Sequence, residues 1–258
     1  MTVLADEAVL DVVADGPVRV LTMNRPERKN AVDAVLHSEL TYVWSRLLAD
    51  RDVRVVVITG AGGAFSAGGD AEFLRAVNTD AEFRWRALDE ARRLVGELVR
   101  FPLPVIAAVN GPAVGLGSSL ASLCDLVLMS DTAYFADPHV LLGVAAADGA
   151  VATWPQQLGP QRAKYHLFTG EPISADQALE WGLANQVLPA QDVLPAAVAL
   201  AHRLAGLPAA ALRATKRAVN LHLEHQALAV MDYATTAEEG HFADPALATT
   251  IDGMTRRR

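Results

Sequence analysis

Val53–Thr59 and Val105–Val109 are nearly continuous apolar runs, each followed at once by a glycine-rich segment. Such runs are too short for ordinary helices and show no polar alternation, so they suit strands covered on both faces. Strands of that kind need helices above and below them, which directs the chain to an α/β architecture with a mainly parallel sheet. The flanking sequence agrees. Val9–Val13 and Val18–Met23 surround an Asp-Gly turn and read as a hairpin. Asp33 reads as the N-cap of a helix running to about Ala49. Glu72–Arg100 reads as helix with a break near Asn78-Thr79-Asp80. Leu116–Cys124 reads as a short buried helix, and Leu126–Met129 and Ala133–Phe135 as further strands. Beyond Gly159 the pattern predicts helices only, among them Ala209–Ala229. The expected organisation is a core over residues 1–200 and a helical region over 201–258.

Composition narrows the possible functions. The formal net charge is −8, so a general nucleic-acid-coating role is not expected, and an anionic ligand would need a local basic patch. Cys124 is the single cysteine, which leaves no intrachain disulfide and no multi-cysteine metal site. His222 and His225 flank Glu224 without a third ligand at suitable spacing, so no metal site is expected. The N-terminal stretch is acidic and lacks basic residues, unlike a secretory or transit segment. No apolar run reaches membrane-spanning length. The expected setting is cytoplasmic, without a membrane partner. The tail Arg256-Arg257-Arg258 reads as a frayed terminus.

The two glycine-rich segments are Ala64-Phe65-Ser66-Ala67-Gly68-Gly69-Asp70 and Asn110-Gly111-Pro112-Ala113-Val114-Gly115-Leu116-Gly117-Ser118-Ser119. Glycine lets backbone N–H groups approach a ligand closely, and the second segment opens a helix whose first amides are free. Two such loops at adjacent strand ends can form a two-point oxyanion hole. Each alone also reads as a tight turn. Neither fits a dinucleotide fingerprint or a phosphate-binding loop.

The order of motifs resembles the crotonase superfamily, which includes enoyl-CoA hydratases and isomerases. The marks are Asn24-Arg25-Pro26 with Lys29-Asn30-Ala31, Phe65-Ser66-Ala67-Gly68-Gly69-Asp70, Pro104–Gly111, Cys124-Asp125, Leu142-Gly143 and Thr169-Gly170. The resemblance implies a spiral of ββα turns and a helical C-terminal region for trimerisation. It also implies homotrimers or paired trimers, and acyl-thioester ligands. Trp181 and Phe242 are the expected subunit-contact residues. No separate cofactor is implied, coenzyme A being part of the substrate. The resemblance places an oxyanion hole at the N–H groups of Gly69 and Leu116. It places a CoA pocket at Arg28, Lys29 and Ala31, with the loop carbonyls around Ser66, Ala67 and Gly68.

Two departures matter. Typical hydratases of this family carry two catalytic glutamates, and these positions fall on Ser119 and His139. A serine and a histidine cannot reproduce the proton inventory of two carboxylates. The alternative is His139 with Asp148, nine residues apart, a spacing similar to that of the 6-oxocamphor hydrolase branch, which cleaves β-diketones. A neutral imidazole accepts a proton near pH 7 and a carboxylate can fix its tautomer. Asp148 equally reads as a cap for the helix after Gly149. Three functions stay open at this point: an enzyme acting on an acyl-CoA thioester through an enolate, a C–C hydrolase of a cyclic β-diketone that uses His139 and Asp148 without CoA, and a catalytically weak acyl-CoA-binding protein.

Overall fold

The computed structural model describes residues 8–255, so Arg256-Arg257-Arg258 and the first seven residues lie outside it. β1 (Leu10–Asp15) and β2 (Val18–Met23) form the hairpin, and a 3-10 turn (Pro26–Arg28) leads to α1 (Ala34–Ala49). β3 (Val55–Gly60) is followed by α2 (Ala71–Thr79) and α3 (Ala81–Arg100). Asp33, Asp70 and Asp80 each accept a backbone N–H as N-caps of α1, α2 and α3, so the expected break is a pair of aspartate caps in series. Next come β4 (Val105–Val109), β5 (Ala113–Val114), α4 (Leu116–Leu123), β6 (Leu126–Ser130), β7 (Tyr134–Ala136), α5 (His139–Leu142), α6 (Ala150–Gln157) and α7 (Pro160–Thr169). The chain closes with β8 (Ile173–Ser174), α8 (Ala175–Trp181), β9 (Gln186–Leu188), α9 (Ala190–Ala205), α10 (Ala209–Phe242) and α11 (Leu247–Thr255).

The main sheet has the order β1-β2-β3-β4-β6-β9 and is parallel apart from the β1–β2 hairpin. β3 and β4 are buried along their whole length. One face meets α1, α3, α4 and α6 through Leu36, Trp44, Leu94, Leu120 and Trp154. The other is covered by α9 through Val193, Ala197 and Ala201.

A second, smaller sheet has the order β5-β7-β8, and single bridges Ser66↔Ala113 and Val32↔Gly69 extend its ladder. Each turn of chain therefore contributes a long strand to the first sheet, a short extended piece to the second, and then a helix. This is the ββα spiral expected from the motif order.

Two sequence readings need correction. The part beyond Gly159 is not purely helical: β8 and β9 close the edges of the two sheets, and they are too short to carry a periodic signal. The helix begun at Ala209 does not stop near Ala229 but continues to Phe242. From Val230 to Glu239 its sequence contains neither glycine nor proline to stop it, and Gly240 comes only in the last turn. Among the described residues, no single helix is long and apolar enough to cross a membrane.

Candidate active site

The bridge between Ser66 and Ala113 sets the geometry. Ser66 N–H donates to Pro112 O at 3.1 Å and Val114 N–H to Ser66 O at 2.9 Å, so the two glycine loops run side by side. Three residues further along both strands lie Gly69, just before the cap of α2, and Leu116, the first residue of α4. Both line one pocket, and neither N–H has an acceptor among the described residues. The Leu116 amide also lies in the first turn of α4, where free N–H groups carry partial positive charge.

Two glycines make this close pairing possible. Gly115 has φ 54° and ψ −120°, a region that side chains exclude. Gly68 has φ 77°, and a Cβ there would lie 2.9 Å from Val114 O.

β7 brings the acid–base groups beside these loops. It pairs in parallel with β5, and Gly115 N–H donates to Ala136 O at 2.9 Å. Asp137, Pro138 and His139 follow immediately. Asp137 is 1% exposed, and its Oδ1 lies 2.5 Å from His139 Nδ1. His139 Nε2 lies 3.2 Å from Asp148 Oδ2 and 3.9 Å from Glu238 Oε1. Glu238 comes from the far end of α10 and is buried, with Oε2 lacking any partner among the described residues. His139, Asp148 and Glu238 place one polar atom each within 4.8 Å of one another, a grouping that the metal-free sequence reading does not anticipate.

The carboxyl groups are driven to different protonation states. Burial raises Glu238, and the charges of Asp148 and Asp137 push it further, so it stays well above the usual carboxylate range despite His139. Burial also raises Asp148, but the charge and hydrogen bond of His139, with a contribution from His37, hold it below its ordinary value. Burial pulls His139 down, yet Asp137 and Asp148 outweigh it and hold the imidazolium well above the usual histidine range. The site therefore favours the ionised form of Asp148, the protonated form of Glu238 and a His139 that donates from both nitrogens. The sequence reading made His139 a neutral base. The structure makes it a charged clamp, because Asp137 binds the second nitrogen.

The helix-cap reading of Asp148 fails, and Ser119 explains why. Ser119 is fully buried, does not line the pocket, and its Oγ accepts the Ala150 N–H at 3.0 Å. Ser119 thus caps the start of α6, which frees Asp148 to face His139. The catalytic role expected for Ser119 is corrected accordingly, since its hydroxyl belongs to the scaffold.

The expected CoA-binding residues divide into two groups. Arg28 and Lys29 are exposed and form no ion pair among the described residues. Lys29 and Asn30 both have φ 53°, and Asn30 fastens the turn by donating to Ala61 O and Ala64 O. Ala31 is buried, and its carbonyl accepts from Arg25. Ser66 O and Gly68 O accept from Val114 and Val32, while Ala67 O has no donor among the described residues. Ala67 and Gly68 line the pocket, whereas Arg28, Lys29 and Ala31 lie outside its lining. Arg25 is not a free cation: it pairs with Asp33 and Asp70 at 3.2 Å each, joining two helix caps.

Phe242 is also corrected. It lines the pocket and packs against Val77, Ala87 and Ile251 of its own chain, so it is no exposed subunit contact. His222 and His225 are exposed, and Glu224 is engaged by Arg100 and Arg217.

The family model for enoyl-CoA hydratase/isomerase matches residues 14–250. The chain belongs to the enoyl-CoA hydratase/isomerase family, within the crotonase superfamily. A short-chain-enoyl-CoA hydratase from Clostridium acetobutylicum is 33% identical over 207 residues, covering 80% of this chain and 78% of the relative. The crystal structure of an enoyl-CoA hydratase/isomerase from Mycobacterium paratuberculosis superposes with TM-score 0.93 at 44% identity, covering 96% of this chain and 98% of that one. A monofunctional enoyl CoA isomerase from M. smegmatis superposes with TM-score 0.71 at 30% identity, covering 86% and 99%. This family member is therefore an α/β crotonase-fold enzyme with a helical C-terminal region.

Sequence reasoning missed Asp137 and Glu238. Asp137 had a local signal, a carboxylate two residues before the histidine. Glu238 had none, because only the path of α10 brings it to His139.

Proposed function

We propose that this family member acts on an acyl-CoA thioester. The Gly69 and Leu116 amides hold the thioester oxygen as it becomes an enolate, and Asp148 and Glu238 handle the protons in place of the two usual glutamates. The observation that carries the reading is the gathering of His139, Asp148 and Glu238 within 4.8 Å of one another in the pocket that Gly69 and Leu116 line, with the two carboxyl groups driven in opposite directions. Environments that push paired groups apart supply a base and an acid in one site. Asp148, ionised and oriented by His139, accepts a proton from water or substrate. Glu238, protonated, returns one. Asp137 and His139 position Asp148 and keep its charge in place. Arg28 and Lys29 meet the CoA phosphates at the surface. The enzyme works as a homotrimer or hexamer in the cytoplasm.

A second reading has its own support. The 3.2 Å contact between His139 and Asp148 fits a C–C hydrolase of a β-diketone. There the same acceptor activates water against a carbonyl, and the same amides hold the enolate that leaves. Titration of binding and turnover with crotonyl-CoA, a longer enoyl-CoA and a cyclic diketone separates the two. The thioester reading predicts saturable binding of the CoA ligands that weakens with salt. Binding and turnover of the diketone alone would overturn it, while CoA binding without turnover would indicate a binding protein.

A further inference from the structure

A second histidine–carboxylate pair lies in the same pocket and transfers no proton in the scheme above. His37, on α1, is 3% exposed, and its Nδ1 lies 2.9 Å from Glu90 Oε2 on α3. The ring lies against Phe73, with centroids 5.1 Å apart, and lines the pocket beside Leu74, Val77 and Leu88. Glu90 fixes the Nδ1 side, and Nε2 has no partner among the described residues. One polar ring edge therefore stands in an otherwise apolar wall.

An alkyl chain laid on that wall would strip water from Nε2 and return no hydrogen bond. An oxygen there would replace the water. Nε2 accepts from a hydroxyl or enol when the ring is neutral, and donates to a carbonyl when the ring is charged.

We propose that His37, braced by Glu90, is a specificity-determining residue, and that the acyl group this pocket takes carries a second oxygen that meets Nε2. The inference rests on the proposed reading only in that the pocket receives an acyl group, and His37 touches that group rather than the reacting bond.

Two ligand pairs test it by calorimetry: acetoacetyl-CoA against butyryl-CoA, and cyclohexane-1,3-dione against cyclohexanone. The wild-type protein is expected to prefer the oxygenated member by about 10–100-fold, the weight of one buried hydrogen bond left unmade. His37→Phe should bring the two affinities together, chiefly by weakening the oxygenated ligand. Glu90→Gln, which keeps the side-chain shape, should reduce the preference in part and serves as the second variant if His37→Phe does not fold. A His37-dependent preference in the diketone pair, with no binding of either CoA ligand, supports this inference and removes the thioester reading. Equal weakening of both members of a pair in His37→Phe indicates a purely structural role and overturns it. So does an unchanged preference in that variant, or no preference for oxygen in the wild-type protein in either pair.

Discussion

Replacing Glu238 by glutamine should raise stability and lower activity, and the size of the first effect follows from proton linkage. Glu238 is 2% exposed and held protonated by burial beside Asp148 and Asp137. Its folded-state pKa lies above its unfolded value. Its contribution to stability is therefore fully present below the unfolded value and is lost as pH rises toward the folded one. Where the unfolded chain has released this proton and the folded chain has kept it, stability falls by about 1.4 kcal/mol per pH unit. The interval from about pH 5 to 6 isolates the effect, since it lies above the ordinary carboxylate range and below that of histidine. Asp148, held low, stays ionised there, and His139, held high, stays protonated in the fold, while the two proteins share whatever the unfolded histidines contribute. Glutamine cannot ionise, so Glu238→Gln escapes this loss. At roughly 2–4 °C per kcal/mol for a chain of this size, its Tm advantage over wild type should grow by about 3–6 °C across that unit. Thermal melts of both proteins at half-unit pH steps measure this. Turnover should fall by about 10²–10⁴-fold, because the amide cannot donate the acid's proton. A Tm difference that stays constant from pH 5 to 6 would refute the reasoning, for it would mean that Glu238 is ionised inside the fold.

Three further outcomes are expected. Ser119→Ala should lower stability by about 0.5–2 kcal/mol through loss of the α6 cap, read by urea unfolding, while turnover stays within a few-fold of wild type. Gly115→Ala should weaken binding of thioesters more than its cost in stability explains, since φ 54° with ψ −120° is closed to alanine and relaxation would move the Leu116 amide; titration of both variant and parent checks it. Arg28→Ala with Lys29→Ala should weaken acyl-CoA binding and flatten its salt dependence while leaving binding of a CoA-free diketone unchanged, a contrast that one titration series at two ionic strengths resolves.

The sequence was most legible where a property is local. Asp33 and the Asn78-Thr79-Asp80 break announced helix starts because a cap acts on amides two or three residues away. The apolar runs announced buried strands because burial on both faces removes alternation. The glycine loops were legible for the same reason, since positive φ at Gly68 and Gly115 is a local demand. What depends on chain path was not. Ser119 fills the capping role that Asp148 could have taken, because the cap of α6 comes from α4, across 31 residues. Glu238 reaches the site only because α10 runs on past Ala229, and His37 acquires its meaning from Glu90, 53 residues away on another helix. His139 was legible as a pocket residue facing Asp148, but the part Asp137 plays in holding its proton was not, because that depends on a buried setting.

The central claim is that His139 and Asp148 work as one unit in moving the substrate's protons. The decisive measurement is a double-mutant cycle of kcat on a converted substrate, using His139→Ala, Asp148→Asn and the double variant. The account predicts that each single change costs at least about 10²-fold and that the double variant is little worse than either one alone, as residues acting jointly lose their effect together. Losses that multiply in the double variant, or wild-type turnover in either single variant, would contradict it.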